Sequence, residues 1–165
     1  MRETGRVSRL TRTIVRGTLK KYDNPTQALE ALQDLFSKKY PKKNLKIPSI
    51  QDIQQELEQH HKLKADLIAF VEPEYPEILR HISDPPPVIS VLGNRHLLQK
   101  HALAIVGARN ASLNGRKFAE KLARELGDYG YQIVSGLARG IDTSVHVGSL
   151  SSGTIAVLAG GIDHI

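Results

Sequence analysis

Two stretches constrain this chain more than anything else in it: Ala104-Ile105-Val106-Gly107-Ala108-Arg109-Asn110-Ala111-Ser112 and Ile133-Val134-Ser135-Gly136-Leu137-Ala138-Arg139-Gly140-Ile141-Asp142. Each reads as a short buried strand that runs into a tight glycine turn and then into a helix. A repeated strand, turn and helix demands a parallel sheet, because only a crossover can return the chain to a neighbouring parallel strand. Such a turn also aims backbone N–H groups and the positive end of a helix dipole at one spot, where an anion can sit. Each of these turns carries an arginine, which makes phosphate the natural ligand class.

The surrounding pattern extends this α/β reading. Val88-Ile89-Ser90-Val91-Leu92-Gly93 and Ala102 to Val106 read as strands. The spacing of Phe118, Ala119, Leu122 and Leu126 predicts a helix that ends at Gly130, and Asp142 is placed to cap a helix through His146 to Leu150. Thr154-Ile155-Ala156-Val157-Leu158-Ala159 is a further apolar strand. Strands alternating with helices predict a Rossmann-like parallel sheet covered by helices on both faces. Before it, Glu72-Pro73-Glu74-Tyr75-Pro76 interrupts any helix and Asp84-Pro85-Pro86-Pro87 forms a stiff connector.

The first 64 residues differ in kind. They hold fourteen Lys and Arg against seven Asp and Glu, a balance of +7, whereas residues 65–165 are nearly neutral at −1. Asn24-Pro25 opens an amphipathic pattern at Ala28, Leu29, Leu32, Leu35 and Phe36. Ser49 and Asp52 have capping-box spacing ahead of a second helix with Ile50, Ile53 and Leu57 on its apolar face. Residues 1–64 are therefore expected to form a small basic all-helical domain and residues 65–165 the first half of a Rossmann-like domain. The basic runs Arg2 to Lys21 and Lys38 to Lys46 suit a polyanion such as nucleic acid, the alternative being a solvated surface. No cysteine is present, so disulfides and thiolate metal sites are excluded, and neither a secretory apolar segment nor a membrane-length one is seen.

Several function classes fail on their fingerprints. Dinucleotide binding needs G-x-G-x-x-G at the first turn, yet Arg109 stands two residues after Gly107 and the next glycine is Gly115. G-x-x-x-x-G-K-[ST] is absent. His60 and His61 are adjacent and diverge on a helix, which argues against a metal site, and His146 has no acid, base or nucleophile set around it.

Tyr75-Pro76, Asp84-Pro85-Pro86, Val106-Gly107-Ala108-Arg109, Val134 to Asp142 and Ala156-Val157-Leu158-Ala159-Gly160-Gly161-Ile162-Asp163, in this order, closely resemble the DNA-processing protein A (DprA/Smf) family. The likeness runs from about residue 22 to the end, with the helical segment similar to that family's small SAM or helix-hairpin-helix-like N-terminal domain. It implies a cytoplasmic protein without catalytic activity or cofactor, which binds single-stranded DNA and delivers it to the RecA recombinase during natural transformation. It also implies a homodimer, whose surface would lie beyond Ile165, since the family continues for roughly as much chain again. Arg2 to Arg16 lacks the Val-Gly-Pro-type turn of a helix-hairpin-helix, as a deleted or frame-shifted beginning would.

Carried over by position, the single-strand pocket would comprise Gly107, Arg109, Ser135, Gly136 and Arg139, with Arg109 the leading phosphate contact. Gly107, Gly136 and Gly140 also have a purely conformational reading, as turn residues that need φ > 0. Three functions stay open on sequence: a single-strand DNA-binding module, an inactive truncated or split-gene remnant of that family, and a Rossmann-like nucleotide enzyme of phosphoribohydrolase type. No glutamate follows the Gly136 or Gly160 turn, which ranks the third reading last.

Overall fold

The computed structural model describes residues 49–162, together with the single positions Gln27, Glu30, Ala31, Asp34, Ser37 and Lys38, all of them helical. The basic runs at Arg2 to Lys21 and Lys39 to Lys46, the apolar positions of the first helix and the last three residues lie outside the described residues. Helix α1, Ile50–Leu63, starts on the predicted capping box: Ser49 Oγ accepts from Asp52 N at 3.1 Å, and the Asp52 carboxylate accepts from Ser49 N at 2.9 Å. The Ser49 hydroxyl, which donates to the Asp52 carboxylate at 2.8 Å, and secondarily Ser49 N hold that carboxyl below its usual range. Lys64, in the left-handed conformation at φ 56°, ends the helix. The stripe of Ile50, Ile53 and Leu57 is exposed, not buried as its spacing suggests.

The helix leads into strand β1, Ala65–Ala69, and contacts it. His60 donates from Nδ1 to Glu56 O at 2.9 Å, which leaves Nε2 to accept from the Ser90 hydroxyl at 2.8 Å. Ser90 belongs to strand β2, Val88–Leu92, and β2 pairs antiparallel with β1 in a two-stranded sheet of its own. Between these strands, helix α2, Glu77–Arg80, presents Arg80 to the carbonyls of Phe70 and Glu72. The guanidinium lies 5.4 Å from the centres of both the Phe70 and the Tyr75 rings. Buried Tyr75 donates its hydroxyl to Pro86 O at 2.8 Å, fastening the proline connector to the preceding loop.

A 3-10 turn, Arg95–Gln99, precedes the second sheet, in which β3, Ala102–Ala104, β4, Gln132–Ser135, and β5, Thr154–Ala156, run parallel in the order β3-β4-β5. Helix α3, Leu113–Asp128, joins β3 to β4, and helix α4, Ile141–Ser149, joins β4 to β5. The strand order is sequential, so right-handed crossovers put both helices on the same face. Ala119 and Ala123 of α3 and Val145 of α4 accordingly pack with Ile133 of β4, flanked by Leu103, Ile105, Leu126 and Ile141. The expected second layer of helices has no counterpart among the described residues.

Small residues set the helix spacing. Ala119, Ala123 and Gly127 recur every fourth position along α3 and are buried, while a Cβ on Gly148 of α4 would collide with the main-chain carbonyl of Glu120. The two helices meet where side chains are smallest. Phe118, expected on the apolar face of α3, points outward and is 68% exposed, because the inner face belongs to these small residues.

Candidate nucleic-acid interface

The three parallel strands all end at one edge of the sheet, and both helices begin there. That edge is the usual location of ligands in open α/β sheets. The β3 turn continues the ladder with Ile105 N donating to Val134 O at 3.0 Å, and Ser135 Oγ donates to Ile105 O at 2.7 Å. Ser135 is therefore buried in the cross-strand seam, with its hydroxyl directed at the neighbouring strand. On the far side Val157 N donates to Ser135 O at 2.9 Å.

Gly140 brings the two arginine turns together. It holds φ at 88° and ψ at −121° at the N-cap of α4, and a Cβ there would stand 2.5 Å from Arg109 O and nearer still to Ala108 O. Ile141 N donates to Ala108 O at 3.3 Å across the same contact. The backbone of Arg109 thus abuts the residue after Arg139. Both arginine side chains are exposed, and neither has an ion-pair or hydrogen-bond partner among the described residues. Two exposed arginines without a partner among the described residues thus stand on touching turns near the starts of two helices, where charge and helix dipoles favour an anion.

The glycines of the motif divide by role. Only Gly140 needs a positive φ; Gly107 and Gly136 do not, contrary to the conformational reading of all three, and the left-handed residue of the second turn is Leu137 at φ 57°. Close approach is what favours glycine at 107 and 136: a Cβ on Gly107 would collide with Ile141 Cγ1 at 2.7 Å, and one on Gly136 would crowd Asp142 Oδ2 at 3.0 Å. Asp142 does not cap α4, whose N-cap is Gly140. It sits inside the first turn and is 5% exposed. Its Oδ1 accepts from Gly107 N at 3.4 Å, and its Oδ2 accepts from Gly136 N at 3.2 Å and from Ala138 N at 3.4 Å.

Of the five sequence-predicted residues, then, Arg109 and Arg139 face solvent, Gly107 and Gly136 direct their N–H groups inward, and Ser135 is sealed in the sheet. Sequence reasoning assigned Asp142 the wrong task. The available signal was an acidic residue two places after a turn glycine, where a carboxylate can reach back to turn amides as readily as to its own helix.

One turn further along α4, His146 is buried, with Nδ1 2.8 Å from Thr154 Oγ1 on β5. Burial lowers its pKa, against a weaker opposing effect of the Asp142 charge. Thr154 Oγ1 also lies 3.3 Å from Ile133 O; if it donates there, it accepts from the imidazole Nδ1–H. His146 ties α4 to the sheet. Among the described residues no group of three or more His, Asp or Glu side chains is placed to hold a metal ion.

Comparison with known proteins places this architecture. A family model for DNA recombination-mediator protein A matches residues 66–165. The chain is 42% identical over 95 residues to the DNA processing protein DprA of Bacillus subtilis, covering 56% of this chain and 32% of that protein. It is 36% identical over 115 residues to the Smf protein of Synechocystis, covering 66% of this chain and 29% of the relative. The chain thus spans about a third of the length of the curated relatives it matches. The X-ray structure of DprA from Streptococcus pneumoniae superposes with a TM-score of 0.59 at 36% identity, over 68% of this chain and 40% of that one. DprA from Helicobacter pylori, whose structure concerns its single-stranded DNA binding mode, superposes at 0.53 with 28% identity, over 62% of this chain and 46% of that one. With the matched region reaching from β1 through the whole parallel sheet, the chain belongs to the DNA recombination-mediator protein A family.

Proposed function

We propose that this chain binds single-stranded DNA at the carboxyl edge of its parallel sheet, with Arg109 and Arg139 each holding a phosphodiester. The observation that carries this reading is the contact between Gly140 and the Arg109 backbone, which brings together two turns that each carry an exposed arginine with no partner among the described residues. Guanidinium contacts to phosphate position a strand without reading its bases, so the binding is sequence-tolerant. The single-strand binding mode described for the Helicobacter pylori relative supports the choice of ligand. The finer role is that of the family resemblance: DNA processing in natural transformation, acting in the cytoplasm, with the strand passed to the RecA recombinase and no catalytic step performed on it. Residues 1–64, with their +7 balance, add sequence-independent attraction for the strand.

Fluorescence anisotropy with a labelled oligo-dT at several salt concentrations, with unlabelled duplex as competitor, tests the proposal. Single strands are expected to win over duplex, and Arg109→Ala is expected to weaken binding and to reduce the log–log salt slope by about 0.7, the value for one lost phosphate contact on a single strand. Binding that survives Arg109→Glu but disappears when Lys38 to Lys46 are neutralised would assign the affinity to the basic segment and overturn the site.

A further inference from the structure

A strand, turn and helix unit concentrates main-chain donors where an external anion normally sits. Here that place is already taken. The three N–H groups that converge on it, those of Gly107, Gly136 and Ala138, all point at the Asp142 carboxylate, which is 5% exposed and comes from the first turn of the second helix of the motif. The donors belong to the turns after two different strands, 35 and 6 residues away from Asp142 in the glycine cases, so one side chain ties both turns together. The glycines conform to it: a Cβ on Gly136 would crowd Oδ2 at 3.0 Å, and Gly107 must lack one for Ile141, the neighbour of Asp142, to pack.

We infer that Asp142 is a resident anion that acts as the positioning and specificity residue of the interface. It fills the main-chain nest, shuts free phosphate and mononucleotides out of it, and fixes the two turns so that Arg109 and Arg139 present their side chains to a phosphodiester from outside. The inference deepens the single-strand reading and rests on it for the choice of ligand. Like charge supplies the exclusion, since a second anion entering the nest would meet a buried carboxylate. Geometry supplies the positioning, since each charge-assisted bond restrains a turn that carries an arginine. A mononucleotide enzyme needs that nest open, so the same side chain separates this interface from nucleotide sites built on the same fold.

The test uses the full chain, with inorganic phosphate and AMP as probes, followed through amide resonances by 15N NMR and through oligo-dT anisotropy. In the unmodified protein the Gly107, Gly136 and Ala138 amides are expected to stay in place in excess phosphate. Asp142→Ala is expected to let phosphate shift them saturably and to lower oligo-dT affinity about tenfold, the equivalent of one charge-assisted hydrogen bond. Asp142→Asn preserves volume and covers the case in which the alanine variant does not fold; it is expected to weaken oligo-dT binding with an unchanged circular dichroism spectrum. Saturable phosphate shifts at those amides in the unmodified chain would overturn the exclusion. A folded Asp142 variant with undiminished oligo-dT affinity would overturn the positioning. If the unmodified chain does not bind oligo-dT at all, the DNA reading fails, and with it the ligand assigned to the arginines, while the phosphate titration still decides whether the nest is closed.

Discussion

Replacing Gly140 by alanine probes the junction on which the proposed interface depends. The new Cβ would stand 2.5 Å from Arg109 O and 2.8 Å from Arg109 C, whereas Cβ contacts shorter than 3.0 Å are essentially unknown. The Ala108–Arg109 segment must therefore retreat by at least about 0.5 Å, an overpacking strain of the kind that costs ~1–3 kcal/mol. The backbone adds its own cost: φ 88° with ψ −121° is a region for glycine, and forcing another residue into it costs a further ~1–3 kcal/mol. The sum, about 2–6 kcal/mol, is a large fraction of the ~5–15 kcal/mol that holds a domain together. At roughly 2–4 °C per kcal/mol for a chain of 165 residues, Tm is expected to fall by at least about 4 °C.

Gly130→Ala is the matched control, because Gly130 also has positive φ, +92°, but a Cβ there meets nothing within 4 Å. It is expected to cost only the conformational part, ~1–3 kcal/mol, and to leave oligo-dT affinity unchanged. Thermal unfolding by circular dichroism and oligo-dT anisotropy on both variants separate the two contributions. Gly140→Ala unfolding no earlier than Gly130→Ala, or staying folded and binding oligo-dT like the unmodified chain, would show that close approach at Gly140 does not hold the two turns.

Other predictions concern the scaffold. Gly148→Ala pushes a Cβ onto the Glu120 carbonyl, 2.9 Å from its carbon, and is expected to lower stability by ~1–3 kcal/mol in urea titration despite the better helix propensity of alanine. Arg80→Met strands the Phe70 and Glu72 carbonyls and should lower the urea midpoint by the equivalent of ~1.5–3 kcal/mol, whereas a surface cation of no structural value would leave it unmoved. His146 has a lowered pKa in the fold, so the unfolded chain binds its proton more readily. Its contribution is complete above the ordinary value of 6.5 and is lost as pH falls from there through the folded pKa. His146→Gln is expected to flatten the pH dependence of Tm over that window; an unchanged slope would show that other groups produce it.

Much of the local architecture was legible in the residue order. The capping box at Ser49 and Asp52, the strands that precede the Gly107 and Gly136 turns and the helix that ends before Gly130 are dictated by neighbours within a few positions, where backbone stereochemistry and side-chain periodicity act directly. The arginines were legible for the same reason, as each lies two or three residues beyond its glycine in a turn too short to hide it. Less legible were choices between equivalent local patterns. Strand β2 has the same alternation whether it joins the parallel sheet or, as it does, pairs antiparallel with β1, from Ala69 with Val88 to Ala65 with Leu92. Phe118 has helical spacing but lost the inner face of α3 to Ala119, Ala123 and Gly127, because the Glu120 backbone must lie against Gly148.

The residue order alone carries the glycine-turn α/β units with a cation at each turn, the mismatch to the dinucleotide and P-loop fingerprints, and the motifs that point to the family. Tertiary structure alone decided what the turn amides bind. Asp142 reaches Gly107 across 35 residues of intervening chain, and its carboxylate would serve equally well, on local grounds, as a cap for its own helix. Only the parallel pairing of β3 with β4 brings the two turns within reach of one side chain, and burial then makes the carboxylate prefer their N–H groups to nothing at all. Periodicity is a property of a segment; the convergence of three donors on one buried charge is a property of how the segments meet.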